Sequence, residues 1–421
     1  MVDRKLKYLW AGLALILTAC QPGMLQSFVP AQFKSTTPTP LSSSAWLGAI
    51  PTQTLEPVPT FKYPTAPTLT EEIFPTRLPT WTPYPVPEQI TPSVLGVFGF
   101  SPDVDPLTGL TSANPKILDR RPVMVKVSNF PSNARPQAGL SFADIVFEYY
   151  IGEFMNRFLA VFYGQDVPQA GPIRSGRYVD AQLVNMYGGL LMYGSADKRV
   201  DDVLRQVLGD HAISYLEGPC PVVCGGDTHL NRVVVNTAKL TQFAIDNHVN
   251  EDRPNLTGMI FDPRVPQGDQ MAVQIAVQYV KFYRGEWHYD PKNSLYMRWI
   301  DDDSLKVPPV MVPLKDSLTG KQLAFDNVVI IFATYIEYNP TLHDIEIWKN
   351  TSGKRALFFR DGVMTEGIWK TPGYDRPLQF FNRWGLPYAL KPGNTWIVIV
   401  GDSSIFVQPV PGQWELRFDL P

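Results

Sequence analysis

Residues 175–208 read SGRYVDAQLVNMYGGLLMYGSADKRVDDVLRQVL, and this stretch decides the fold class. Over Ser175–Met186, Tyr178, Leu183 and Met186 fall at helical spacing, with Val179 and Ala181 beside them. Leu190–Tyr193 is a short apolar run, which predicts a buried strand. Val200, Leu204 and Leu208, each four apart, predict a second helix over Lys198–Leu208. Val233–Val235 and Thr237–His248 add a further strand and helix, with Thr237 as the expected cap. Strand alternating with helix predicts an α/β layered domain.

Working outward, Val123–Val127 is a β-branched run bounded by Pro122 and the Asn129-Phe130-Pro131 turn. Ile145–Tyr150 and Phe158–Tyr163 are further expected strands, turning at Gly152. From about Met259 the chain is richer in strands. Val273–Tyr283, Ser294–Trp299, Val328–Tyr335, Asp344–Trp348, Arg355–Phe359 and Trp396–Val400 are expected strands. Gly285, Asp361-Gly362, Pro372-Gly373 and Pro392-Gly393 are the expected turns. Many short strands with glycine turns predict a mainly β unit, a sandwich or barrel. Asp252-Arg253-Pro254-Asn255 breaks the pattern, so the α/β domain is expected over 98–252 and the β-rich domain over 253–421.

The first 97 residues look different. Arg4, Lys5 and Lys7 precede an apolar run from Leu9 to Leu17, and Leu17-Thr18-Ala19-Cys20 follows. Charge, apolar run and small residues in that order read as a secretory signal over residues 1–20. The terminal cysteine makes it resemble a bacterial lipobox, whose thiol is acylated after cleavage. A membrane-spanning helix needs about 20 apolar residues, roughly twice this run. The expectation is an exported protein anchored through lipid on Cys20 at the extracytoplasmic face of the cell membrane. From Pro22 to Pro92 there are 15 prolines among many threonines and serines. Proline removes an amide donor and fixes φ, and the stretch has too little apolar periodicity to bury a core. Residues 21–97 are therefore expected to be a disordered spacer.

The net charge of −3 argues against a nucleic-acid partner. With Cys20 acylated, Cys220 and Cys224 remain as a pair, and an oxidising compartment makes them a disulfide. A zinc site from His211, Cys220, Cys224 and His229 is the weaker alternative, because structural zinc favours tighter Cys-x-x-Cys spacing. No metal and no cofactor is expected. Trp348, Trp369, Trp384 and Trp396 read as packing residues before they read as a sugar-stacking platform.

The densest polar constellation runs from Arg121 to Arg177. Asp144 and Glu148 lie four apart in an expected strand and so share a face. Arg174 and Arg177 flank an expected helix start, where free amides and the dipole favour an anion. With Arg135 and Arg157 they can cradle a phosphate or carboxylate. In a purely structural role, Asp144 or Glu148 would instead pair with Arg157 or Arg174. Ser175 reads as a helix cap, since no Gly-x-Ser-x-Gly elbow surrounds it. The ligand-binding candidates are Arg135, Asp144, Glu148, Arg157, Arg174, Ser175 and Arg177.

Several runs resemble the YerB-like family of bacterial lipoproteins. They are Asp105-Pro106-Leu107-Thr108-Gly109-Leu110, Arg135-Pro136-Gln137-Ala138-Gly139-Leu140, Ala143-Asp144-Ile145-Val146-Phe147-Glu148 and Gly171-Pro172-Ile173-Arg174-Ser175-Gly176-Arg177. Farther on, His288-Tyr289-Asp290-Pro291, Phe359-Arg360-Asp361-Gly362, Gly367-Ile368-Trp369-Lys370 and Pro392-Gly393-Asn394-Thr395-Trp396 are similar to its C-terminal half. Relatives carry a Pro-His-Asn run near where this chain reads Asp227-Thr228-His229-Leu230-Asn231. The resemblance implies the lipoprotein topology and a two-part body, and it implies no reaction. The functional expectation is a membrane-anchored binding or accessory protein of the cell envelope, with a protein or glycan partner there. The alternative is an envelope hydrolase acting on glycan or peptide with Asp144 and Glu148 as acid and base. In an accessory protein both carboxylates should be neutralised by arginines; in a hydrolase one should stand free in a cleft with a raised pKa.

Overall fold

In the N-terminal half, the β-branched run of residues 123–127 becomes β1 (Val123–Ser128), and every residue in it is buried. The computed structural model describes residues 94–225, 232–249, 252–266 and 270–420; Cys20, the proline-rich stretch and His229 lie outside them. β2 (Ile145–Gly152) and β3 (Met155–Phe162) follow as an antiparallel pair. Then come α1 (Tyr178–Met186), β4 (Leu190–Tyr193), α2 (Lys198–Leu208), β5 (Ala212–Ser214) and α3 (Thr237–Asp246). The alternation of helix and strand after residue 170 is as the sequence pattern requires. β1, β4 and β5 are parallel neighbours, joined through the helices. Thr237 is not the cap of α3. Asn236 fills that role, its side chain accepting from Lys239 N, while the Thr237 hydroxyl turns back to Val167 and Asp166.

The C-terminal half contributes β6 (Gln274–Val280), β7 (Tyr283–Asp290), β8 (Leu295–Asp301), β9 (Asn327–Asn339), β10 (Leu342–Glu346), β11 (Lys354–Arg360), β12 (Val363–Lys370), β13 (Gln379–Asn382), β14 (Thr395–Gly401), β15 (Ile405–Val410) and β16 (Gln413–Arg417), besides shorter ladders. The single strand expected over Val273–Tyr283 is a hairpin that reverses at Lys281 and Phe282. Gly285, expected as a turn, sits inside β7. The Arg298 guanidinium lies against its α-carbon, and any Cβ there would run into it.

These strands form two sheets. The larger has twelve strands, in the order β13-β12-β11-β9-β14-β2-β3-β1-β4-β5, with β10 on β9 and Gln270–Met271 on β12. The halves meet where β2 runs parallel to β14, from Ile145 opposite Thr395 to Tyr149 opposite Ile399. Hydrogen bonds therefore cross the line drawn at residue 252. The C-terminal half is mainly β, as expected, but it does not close into a sandwich or barrel of its own. All of β14 is buried, and a continuous apolar strand covered on both faces belongs in the middle of a sheet. The second sheet has seven strands, ordered Met311–Pro313, β8, β7, β6, β16, β15, with Ala324–Phe325 on β8.

Each face of the large sheet has its own core. On one face Met124, Phe147 and Leu159 pack under Val179, Leu183, Leu204 and Leu208 of α1 and α2. On the other, Val125, Phe158 and Trp396 meet Ile275, Val277 and Trp287 of the second sheet. This alternation sends Lys126 toward the helices and Glu148 toward the second sheet. Trp369 and Trp396 are core residues, their indoles donating to Phe332 O and to Glu148, whereas Trp384 is exposed. The four tryptophans form no common platform.

Candidate functional site

The carboxyl ends of β1 and β4 lead into the starts of α1 and α2, and the arginines of the sequence constellation collect there. Arg157, the third residue of β3, lies beside Ser128 and Tyr149, and its Nη1 donates to Ser175 O at 2.8 Å. Arg174 N donates to Lys126 O at 2.8 Å, which fastens this turn to β1. Asp180 in the first turn of α1 accepts from Arg177 N at 2.7 Å. The same carboxylate meets Lys126 Nζ at 3.1 Å and the Tyr149 hydroxyl, all three side chains being fully buried.

Positive charge is in excess here. Lys126, Arg157 and Arg177 lie around Asp180 with Arg174 beside them, and among the described residues none of the three arginines forms an ion pair with a carboxylate. Burial, then Arg177 and Arg174, disfavour the charged form of Arg157. Burial acts the same way on Arg174 and Arg177, and lowers Lys126 to about 7. The Nε atoms of Arg174 and Arg177 are buried without a partner. Crowded guanidiniums repel, and at Arg177 the attraction of Asp180 and Asp197 offsets that repulsion. Ser175 is not the α1 cap. Its hydroxyl faces that of Ser195 at 3.2 Å, across the gap between the two helix starts.

Glu148 joins neither Arg157 nor Arg174. It is fully buried between the two sheets, where Oε2 meets Arg298 Nη2 at 3.1 Å and accepts from Trp396 Nε1 at 2.8 Å, while Oε1 accepts from Asn156. Asp144 stands just before β2, and its partners are different. Its Oδ2 accepts from Tyr163 N at 2.5 Å and Gly164 N at 3.1 Å. Asp105 lies beside it, held by Leu107 N at 2.8 Å and the Thr108 hydroxyl at 3.1 Å. Both line a cavity of about 470 Å³ with Ser141, Asp326 and Asn394. Burial raises both carboxyls, Asp105 to about 6, and for Asp144 the neighbouring Asp105 adds to the effect. The two carboxylates of the constellation thus serve separate places, one neutralised by an arginine and one beside a cavity.

Arg135 stands apart from the other arginines. Its Nε donates to Asn129 O and Oδ1, and its Nη1 pairs with Asp301 at 3.3 Å, joining the N-terminal half to β8. The sequence reading missed Lys126, Asp180, Asp105, Arg298 and Asp301. Lys126 had a legible signal, a lone charge inside an apolar strand. Arg298 and Asp301 had none, because their partners are far away in the chain.

Cys220 and Cys224 are joined by a disulfide. That removes both thiols from the zinc alternative, and His229 lies outside the described residues. Among those residues no helix is long and apolar enough to cross a membrane.

Two family models match the chain. Residues 107–223 match the N-terminal domain and residues 275–397 the C-terminal domain of a protein of unknown function, DUF3048. The chain is 29% identical over 311 residues to the Bacillus subtilis (strain 168) protein named "Putative lipoprotein YerB", covering 70% of this chain and 86% of that one. It is also similar to the crystal structure of YerB from Bacillus subtilis, with a TM-score of 0.58 and 27% identity, over 70% of this chain and 96% of that one. The two matched segments are the two sides of the Glu148–Arg298 contact.

Proposed function

Because the chain belongs to the YerB-like family of lipoproteins, whose two halves are the DUF3048 N- and C-terminal domains, we propose that it is a binding protein of the cell envelope. Lipid on Cys20 anchors it to the extracytoplasmic face of the membrane, and the arginine cluster at the carboxyl ends of β1 and β4 takes an anionic group. The observation that carries the binding site is the cationic excess at Arg157, Arg174 and Arg177, beside a carboxylate already engaged by Lys126, Tyr149 and the α1 backbone. Open α/β sheets place ligands at the carboxyl ends of their strands, and helix starts there favour negative charge. A phosphate or carboxylate would offset the repulsion among the three guanidiniums. Titrating inorganic phosphate while following arginine Nε–H resonances tests this. Saturable shifts at Arg174 and Arg177 are expected, and shifts confined to other arginines would refute the assignment.

The second reading, hydrolysis of envelope glycan or peptide, keeps Asp144 and loses Glu148, which is committed to Arg298. What favours it is Asp144 with Asp105 at the wall of one cavity, both carboxyls raised. On this reading Asp144→Asn should abolish release of soluble fragments from isolated cell wall. Absence of any release by the parent protein ends the reading.

A further inference from the structure

Large apolar side chains gather on the surface beside Leu95, at the start of the folded body. Phe98 is 98% exposed, Trp384 70%, Leu386 62% and Val97 52%. They belong to two segments that meet. Leu95 pairs with Phe261, and Ile260–Phe261 pairs in turn with Ala389–Leu390. Val97 and Phe98 line one cavity, of about 520 Å³, with Phe380, Phe381 and Pro387. Trp384 and Leu386 stand on the turn between Phe381 and Pro387, which are themselves bridged. Asn382 holds that turn open to solvent. Its Oδ1 accepts from Trp384 N and from Leu386 N, each at 3.0 Å, and its backbone N donates to Leu386 O at 2.8 Å. Single exposed apolar residues are ordinary, whereas several gathered at one place mark an interaction site.

Charge and connectivity say what lies opposite. Arg383 sits over the Trp384 ring at 4.3 Å, and Lys370 over the Phe381 ring at 5.2 Å. Arg376 is on the cavity wall, which carries no carboxylate. Projecting aromatic and aliphatic side chains within a basic rim suit a lipid surface. The apolar groups enter the boundary between headgroups and acyl chains, and the cations meet anionic headgroups. Tryptophan favours that depth. Residues 1–93, which include Cys20, join the folded body at this same patch. A body tethered through them meets the membrane at a high effective concentration, so a patch that binds lipid weakly on its own is enough.

We propose that Phe98, Trp384 and Leu386 enter the interface of an anionic lipid membrane, so that the body rests on the bilayer with this face toward it. The proposal rests on the membrane location inferred above, and its test separates the two. The full-length protein is mixed with saturating vesicles of equal parts phosphatidylglycerol and phosphatidylethanolamine, with acyl chains brominated near the headgroup or left unbrominated. Flotation reads the anchor on Cys20. Quenching of Trp384, taken as parent minus Trp384→Phe, reads the contact. The substituted side chains are exposed, so the fold survives their replacement. The expected result is flotation with Trp384 quenched by the brominated chains only. Phe98→Ser/Leu386→Ser, and exchange of phosphatidylglycerol for phosphatidylcholine, should each reduce the quenching. Flotation without quenching overturns the contact and leaves the anchor standing. Quenching without flotation supports the contact and refutes the lipid on Cys20, and absence of both overturns both. Quenching undiminished in Phe98→Ser/Leu386→Ser also overturns the proposal. Absence of quenching together with a dimer that this variant abolishes assigns the patch to a second copy of the chain instead.

Discussion

Glu148 and Arg298, 150 residues apart in the chain, form a salt bridge of 3.1 Å in which neither side chain reaches solvent. Glu148 comes from the large sheet and Arg298 from the second, so the contact pins one sheet to the other. Arg298 also lies over the rings of Trp287, at 4.1 Å, and Trp396, at 5.1 Å. Gly285 leaves it the space to do so.

Glu148→Gln should therefore be costly. It strands a guanidinium in the core, and breaking one side of such a pair costs about 3–5 kcal/mol. Replacing both, with Glu148→Met and Arg298→Leu, should recover much of that, because the desolvation of two charges is removed as well. Urea unfolding of the single and double variants checks this. A single variant within about 1 kcal/mol of the parent contradicts the account.

The Asp105–Asp144 neighbourhood should show in the pH dependence of stability. Asp105 has an ordinary value of 3.8 and is raised to about 6 in the fold. Between those values the folded chain holds a proton that the unfolded chain has released, so stability is greatest at the acid end and falls as pH rises. Asp105→Asn removes that group, and the parent-minus-variant difference in urea midpoint should change between about pH 4 and 6. A difference that stays flat across this window counts against the raised carboxyl.

Reducing the Cys220–Cys224 bond should have a modest effect. The closed loop is short, and loop-closure entropy for it is about 2 kcal/mol. Mass spectrometry of the exported protein without reductant should find the two linked. Two free thiols contradict the pairing.

Cys20→Ala should release the protein from the membrane fraction or leave its precursor unprocessed. Fractionation and maturation like the parent's would show that the lipid reading is wrong.

Local signals made the N-terminal half legible. Leu190–Tyr193 and Lys198–Leu208 have the bounds that apolar spacing gives them. Non-local pairing was not legible. Nothing in Thr395–Gly401 says that it lies beside Ile145–Tyr149, and that one pairing merges the two halves into a shared sheet. The candidate site divides the same way. Arg157, Arg174 and Arg177 could be grouped because a strand edge and a helix start lie close in the chain. Glu148 and Arg135 were drawn into the same group only by sequence proximity. Their partners, Arg298 and Asp301, come from β8, whose position no local pattern reports.

The arginine cluster is the centre of the functional account, and phosphate-dependent thermal unfolding of Arg174→Gln/Arg177→Gln tests it most directly. Without phosphate the double variant should melt close to the parent's temperature, because the repulsion removed is offset by the lost attraction of Arg177 to Asp180 and Asp197. Phosphate should raise the parent's melting temperature in a saturable way, as a ligand of the folded state must, and leave the variant's unchanged. An equal rise in both proteins, or a large fall in the variant without phosphate, would contradict an anion site at these arginines.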